Sequence, residues 1–275
     1  MAYLAYNFTV TPTQPGSEIL IALISDFGFD TFDYTSNGFT AFIKEEDHAE
    51  INFGMLKFDD FSYTYAIERI EDKNWNAEWE KNFEPVFVDD LLAIRAPFHA
   101  KDKEFAHEII ITPKMSFGTG HHETTRLMCK EMFNMDFRYK RVLDMGCGTG
   151  ILAILAHFLK ANDVLGIDID EWSVENSIEN CKENNCSDIK IKKGNASLLN
   201  DEKPFDVILA NINKNILKAD IAIYSQKLIF GGRLLLSGFF TTDVAELTEV
   251  ALKNQLYFKH SFNDKEWAIM VLEKR

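Results

Sequence analysis

Apolar and polar residues alternate along the first seventy positions, and aromatics are frequent among the apolar ones. Period-two alternation marks half-buried strands. It predicts a strand from Tyr3 to Val10, a short helix from Glu18 to Asp26 after the turn Pro15-Gly16, and a strand pair between Asp30 and Ile43. The pair turns at Asn37-Gly38, a dipeptide suited to tight hairpins. A polar, poorly periodic stretch follows, then a strand from Phe61 to Ile70. The order β-α-β-β-(α)-β predicts a small α+β ferredoxin-like domain over residues 1–70. Residues 71–87 change period: Trp75, Trp79 and Phe83 share one helical face at i, i+4, i+8, and Pro85 ends the run. This segment is predicted to be a linker helix.

A third regime occupies the rest of the chain, residues 88–275. Apolar runs are predicted as strands at Arg141–Met145, Asp163–Asp168, Ile189–Lys193, Phe205–Ala210 and Gly232–Gly238. Helical periodicity fills Gly150–Lys160, Glu171–Asn184, Asn215–Ile229 and Asp243–Asn254. Phe258–Phe262 and Trp267–Glu273 then read as a closing hairpin. Strands alternating with helices predict an α/β fold: a seven-stranded, doubly wound, Rossmann-like sheet.

Composition narrows the function. No apolar run reaches the 18 residues of a membrane span, and no Lys or Arg precedes Lys44, so neither a membrane segment nor a secretory leader is expected. The four cysteines, Cys129, Cys147, Cys181 and Cys186, form no metal-ligand spacing, which fits reduced thiols in a cytoplasmic protein without a metal. Net charge is −14, and residues 1–70 hold eleven acidic side chains against three basic ones. Such a field repels phosphate backbones and draws cationic partners, so direct nucleic-acid readout is not expected.

The candidate chemistry lies at the carboxyl ends of the predicted strands. VLDMGCGTG (Val142 to Gly150) is a buried strand entering a glycine turn and a helix. Gly146, Gly148 and Gly150 would let a ligand approach the backbone, beside unpaired N–H donors of the helix N-terminus. A dinucleotide fingerprint requires a glycine where Ile151 stands, which weighs against that ligand. Asp168 ends the second strand 22 residues after Gly146, where a carboxylate accepts ribose hydroxyls. Asp170 is the better cap for the following helix. After the third strand Asn195 could reach an exocyclic amine or stabilise a turn. Asn211 follows four apolar residues, an unusual place for an amide that is only core.

Upstream, MSFGTGHHETTRL (Met115 to Leu127) supplies Gly118, Thr119, Gly120, His122, Thr124 and Thr125 in the pattern G-T-G-x-H-x-T-T. With DMGCGTGILAI, GIDID and LANI at their spacings, the chain closely resembles the class I methyltransferases of the PrmA family, which act on ribosomal protein L11. Glu123 departs from the family, where many members have proline. The resemblance implies S-adenosyl-L-methionine as cofactor. It implies Thr125, Gly146, Asp168 and Asn211 as its binding residues, with Gly148 and Asn195 beside them and Phe117 and Gly118 as a flap. Asn211 is the expected catalytic residue, aiming the amine at the methyl carbon. The implied activity is N-methylation of the α-amino group and lysine ε-amino groups of the large-subunit ribosomal protein L11, by an expected monomer whose acidic first domain recognises the basic substrate. A small-molecule amine methyltransferase and a non-catalytic S-adenosylmethionine-binding scaffold are the alternatives. A base methyltransferase is disfavoured: Asn211-Ile212-Asn213-Lys214 lacks the proline and aromatic of N-P-P-Y.

Overall fold

A computed structural model of the protein describes residues 3–46, 48, 53, 56–70, 83–101 and 105–275. These divide into two compact units, Met1–Asn82 and Phe83–Arg275.

The first unit has strands β1 (Tyr3–Thr11), β2 (Thr31–Thr35), β3 (Gly38–Lys44) and β4 (Ser62–Ile70), with helix α1 (Thr13–Ile24) after β1. The sheet order is β2-β3-β1-β4, and β1 runs antiparallel to both its neighbours. This is the arrangement expected of the ferredoxin-like pattern. Tyr6, Phe8 and Val10 alternate onto the face that meets Leu20 and Ile24 of α1, with Phe39 and Ile43 from β3. The hairpin turns at Ser36 and Asn37, one residue before the expected Asn37-Gly38, and Gly38 opens β3. A Cβ on Gly38 would stand 2.0 Å from the Phe8 carbonyl oxygen. Close approach of the neighbouring strand therefore requires this glycine. Residues 47, 49–52 and 54–55, where the second helix would fall, lie outside the described residues, as do residues 71–82 of the expected linker helix with Trp75 and Trp79.

The second unit begins with a small sheet absent from the sequence expectations: β5 (Val86–Val88), β6 (Leu92–Arg95) and β7 (His107–Ile110), in the order β5-β6-β7. Helix α2 (Glu123–Phe133) leads into the large sheet. There β8 (Arg141–Met145), α3 (Ile151–Phe158), β9 (Asp163–Asp168), α4 (Glu171–Glu183) and β10 (Lys190–Lys193) alternate. They are followed by β11 (Phe205–Asn211), α5 (Lys214–Lys227), β12 (Leu228–Phe240), α6 (Val244–Lys253), β13 (Leu256–Asp264) and β14 (Trp267–Lys274).

The sheet order is β10-β9-β8-β11-β12-β14-β13. Five strands are parallel, and β14 runs antiparallel to both β12 and β13. Both faces are covered, which explains the nearly unbroken apolar runs. Val142, Val164, Val207 and Leu209 enter one core with α3, while Leu143, Leu165, Ile208 and Leu217 enter the other. Strand β12 starts four residues before the predicted Gly232, so α5 ends at Lys227 rather than Ile229. Strand order reverses between β8 and β11, and open α/β sheets bind ligands in the crevice outside their strand ends at such a point.

Candidate active site

A cavity of about 500 Å³ occupies that crevice. Phe117, Gly146, Gly148, Asp168, Asn195 and Asn211 all line it, so six of the seven sequence-derived positions converge. The seventh, Thr125, is not among the lining residues; it is buried in the first turn of α2, and Thr124 faces the cavity instead.

The glycine turn is built differently from expectation. Its N–H groups are already used: Gly146 and Cys147 donate to the Ile167 carbonyl, Thr149 to that of Phe117, and Gly150 to that of Cys147. Gly148 donates to Asp168 Oδ2 at 2.9 Å. The turn's own donors are therefore spent within the protein, and the helix N-terminus proper begins beyond them at Ile151. The glycines answer to the protein itself. Gly146, Gly148 and Gly150 have φ of +71°, +54° and +80°, a region that penalises side chains. A Cβ on Gly146 would meet the Ile212 side chain at 2.2 Å, and one on Gly148 the Phe117 carbonyl oxygen at 2.2 Å. Thr149 completes the seam, its hydroxyl donating to the Gly118 carbonyl at 2.6 Å. The segment carrying Phe117 is thus sewn to the turn, while the Phe117 side chain stays half exposed at the cavity.

Asp168 is buried at the tip of β9 and accepts from two backbone N–H groups, Gly148 through Oδ2 and Asp170 through Oδ1 at 3.0 Å. Two fixed donors aim the carboxylate, and its remaining acceptor sites suit paired hydroxyls. Asp170 takes the N-cap position of α4, as expected, but makes no side-chain cap bond. Asn195 caps the short 3-10 turn after β10, its Oδ1 accepting from Ser197 N at 3.0 Å.

The opposite wall leaves acceptors waiting. Asn211 ends β11, in register with Ser237, and its Oδ1 is buried without a partner. Thr125 Oγ1 is likewise buried and unpartnered. Such atoms cost free energy until something bonds them. His122 caps α2: its Nδ1 accepts from Thr124 N at 3.2 Å and lies 2.8 Å from the Thr124 hydroxyl. Its ring meets Trp267 edge-on at 4.7 Å, and both rings line the cavity. His122 is thus positioned as a helix cap and packing group.

Sequence reasoning missed three features. Asp220 of α5 lines the cavity, and burial raises its pKa above the ordinary carboxylate range. Asp144 sits behind the glycine turn, 1% exposed; burial, reinforced by the Asp168 charge, lifts its pKa to about 7. The third feature is a ladder of asparagines on α4. Asn184 brackets the Ile110 backbone with bonds of 2.8 and 2.6 Å. Asn180 accepts from Thr112 N and donates to the Thr149 carbonyl at 2.8 Å. Asn176 donates to the Thr112 carbonyl at 3.2 Å. Their i, i+4, i+8 spacing was the available signal, since one helical face of buried amides needs a backbone to bond.

The lining discriminates among ligands. It contains Asp168, Asp170 and Asp220 but no Lys or Arg. A pyrophosphate would face three carboxylates and, among the described residues, no lysine or arginine, whereas a nucleoside bearing a positive sulfonium meets complementary charge. Ribose hydroxyls suit Asp168, and a bound amine or amino-acid portion suits the unpartnered Asn211 oxygen.

A family model described as ribosomal protein L11 methyltransferase (PrmA) matches residues 31–275. The chain is 41% identical over 274 residues to the ribosomal protein L11 methyltransferase of Bacteroides thetaiotaomicron, covering 98% of each. It is 42% identical over 281 residues to that of Porphyromonas gingivalis, covering 98% of this chain and 97% of the relative. The crystal structure of a ribosomal protein L11 methylase from Lactobacillus delbrueckii subsp. bulgaricus aligns with a TM-score of 0.65 at 28% identity, over 70% of this chain and 100% of the other. A cavity at the switch point of a seven-stranded sheet is in keeping with these matches: the chain belongs to the ribosomal protein L11 methyltransferase (PrmA) family, class I enzymes whose cofactor is S-adenosyl-L-methionine.

Proposed function

We propose that this protein methylates ribosomal protein L11 in the cytoplasm, at its N-terminal α-amino group and at lysine ε-amino groups. The relatives' names support the substrate, and the resemblance noted in the motifs supports the choice of amines. The observation that carries the chemistry is the buried, unpartnered Oδ1 of Asn211 at the end of β11.

S-adenosylmethionine supplies an electrophilic methyl group on a sulfonium. Asp168 holds the ribose hydroxyls, Gly146 and Gly148 form the floor, and Phe117 covers the methionine end. Thr125 is the remaining position that the resemblance assigns to the cofactor, although its buried side chain does not line the cavity. Asn211 accepts a hydrogen bond from the incoming amine and aims its lone pair, a gain in orientation rather than in proton removal. A lysine amine with a reference pKa of about 10.4 is charged at neutral pH, and entry into this largely apolar cavity favours its neutral form. The first seventy residues form the recognition domain, residues 71–87 the linker, and residues 88–275 the catalytic domain. The net charge of −8 on the first seventy draws in a basic protein.

The test is incubation of the purified protein with labelled cofactor and ribosomal proteins from its own source, with the labelled species identified by mass. Label on ribosomal protein L11, at its first residue and at lysines, is the expected result. Label confined to small amines would replace this reading by a small-molecule one, and no label at all would leave only a cofactor-binding scaffold.

A further inference from the structure

The cavity has a carboxylate that the methyl-transfer chemistry does not use. Asp220 lies one turn beyond Ile216 on α5, and both face the cavity. The helix borders the β10 end of the crevice: its Leu217 and Ile221 share a core with Ala196 and Leu199 of the 3-10 turn that follows Asn195. Asp168 at the tip of β9 separates this end from Asn211 on β11. With the ribose on Asp168 and the sulfonium toward Asn211, the nucleobase occupies the β10 end.

A polar acceptor is needed there for the exocyclic amine of adenine. Asn195 is the expected candidate, but one of the two acceptor sites of its Oδ1 is taken by Ser197 N at 3.0 Å, which leaves it the weaker acceptor beside a carboxylate. Asp220 is half-buried, and its recorded partner is the Tyr224 hydroxyl, which donates to Oδ2 at 3.3 Å. A carboxylate offers about four acceptor sites, so most remain for a ligand.

We infer that Asp220 is the adenine-reading residue of this enzyme, its carboxylate accepting a hydrogen bond from the exocyclic amine across the cavity from Asn195. The inference rests on S-adenosylmethionine being the ligand of this cavity. It makes the site selective for a 6-amino purine: a 6-oxo purine would bring its carbonyl oxygen against the carboxylate.

The test is calorimetry on the full-length protein with two ligands. One is S-adenosylhomocysteine and the other its deaminated analogue, S-inosylhomocysteine. The wild type should prefer the adenine compound strongly. In Asp220→Asn the amide can turn its NH2 toward the 6-oxo group, so that preference should shrink by about tenfold or more, the equivalent of one charge-assisted bond. Thermal melting checks that the variant is folded; should it not be, Asp220→Ser carries the same expectation for the ratio. A folded variant that keeps the wild-type preference within about twofold overturns the assignment, since a merely structural role would alter both affinities together. Failure of the wild type to bind S-adenosylhomocysteine would instead sink the cofactor reading, and this inference with it.

Discussion

The two walls of the cavity solve opposite problems. On the wall made by the glycine turn, the β9 tip and α4, the polar groups are bonded to one another. Asp168 takes Gly148 and Asp170, Thr149 takes Phe117 and Gly118, and Ser177 and Asn180 take the carbonyls of Gly148 and Thr149. On the side of the first turn of α2 and the β11 tip, Asn211 Oδ1 in the lining and Thr125 Oγ1 outside it are buried and unbonded. The first wall is a finished part that keeps its shape without a ligand. The second is completed by whatever binds. Preorganised groups lose little freedom when the ligand arrives, whereas unpartnered ones gain a bond they lacked.

The comparison is broken most severely at Asp168. Its carboxylate is a structural member of the finished wall and, in the proposed function, the ribose acceptor, so Asp168→Ala should damage both. Loss of charge-assisted bonds worth about 1.5–3 kcal/mol each predicts a cofactor dissociation constant raised about a hundredfold, with a lower melting temperature. Calorimetry and thermal unfolding read the two effects. A weakened affinity at unchanged stability would mean that the bonds to Gly148 and Asp170 contribute nothing to the turn.

Asp144 and Asn176 are exceptions within the finished wall, and Asp144 is the one that titrates. One oxygen accepts from Ala153 N at 3.0 Å, and the other is buried without a partner. Burial raises its folded pKa to about 7 from an ordinary 3.8. The folded state therefore binds a proton that the unfolded chain has released, and this stabilisation, complete below the unfolded value, is lost as pH rises through about 7. Asp144→Asn keeps the acceptor for Ala153 and removes the titration. Chemical denaturation should find the variant more stable than the wild type at pH 8 by up to about 4 kcal/mol, and the gap should close toward acid pH. The same change should weaken binding of the cationic cofactor more than that of uncharged S-adenosylhomocysteine. A pH-independent gap would show that Asp144 does not titrate in this range.

Asn211 probes the unfinished wall. Asn211→Ala removes an acceptor with no protein partner, so stability should hold or rise slightly while single-turnover methylation falls at least about tenfold at saturating cofactor. Asn211→Asp should slow the reaction differently, because a carboxylate there favours the charged, unreactive ammonium. Wild-type turnover in both variants would leave Asn211 a plain strand end.

What could be read from sequence follows the same division. Strand and helix order in the large domain was legible because buried runs from Val142, Val164 and Val207 are long and uninterrupted, and β8 and β9 match residue for residue. Strands β5 to β7 were not, being three or four residues each and broken by turns. Gly146, Gly148, Asp168 and Asn211 were legible because they sit at strand ends in a compact motif. The reason for the glycines was not: it lies in Ile212 and Phe117, which tertiary contact brings against them. Asp220 was invisible for a similar cause, since nothing local distinguishes one aspartate on a helix from another.

Asn176 carries the smallest expected effect and the finest discrimination between the walls. It is fully buried at the end of the asparagine ladder, with one long bond to the Thr112 carbonyl at 3.2 Å and an Oδ1 that has no partner. Asn176→Ala gives up a neutral hydrogen bond worth about 1 kcal/mol and also removes an unpaired buried acceptor of similar cost. The two nearly cancel, leaving chiefly the loss of packing around a short side chain. Stability should therefore change by no more than about 1 kcal/mol. Asn180 and Asn184 still hold Thr112 and Ile110, so Met115 to Phe117 should stay in register, and cofactor affinity should be unchanged. Denaturation and calorimetry decide the point together. If affinity instead falls while stability holds, the unpartnered Asn176 oxygen belongs with those of Asn211 and Thr125, as an acceptor completed only when the site is filled, and the α4 wall is not self-sufficient.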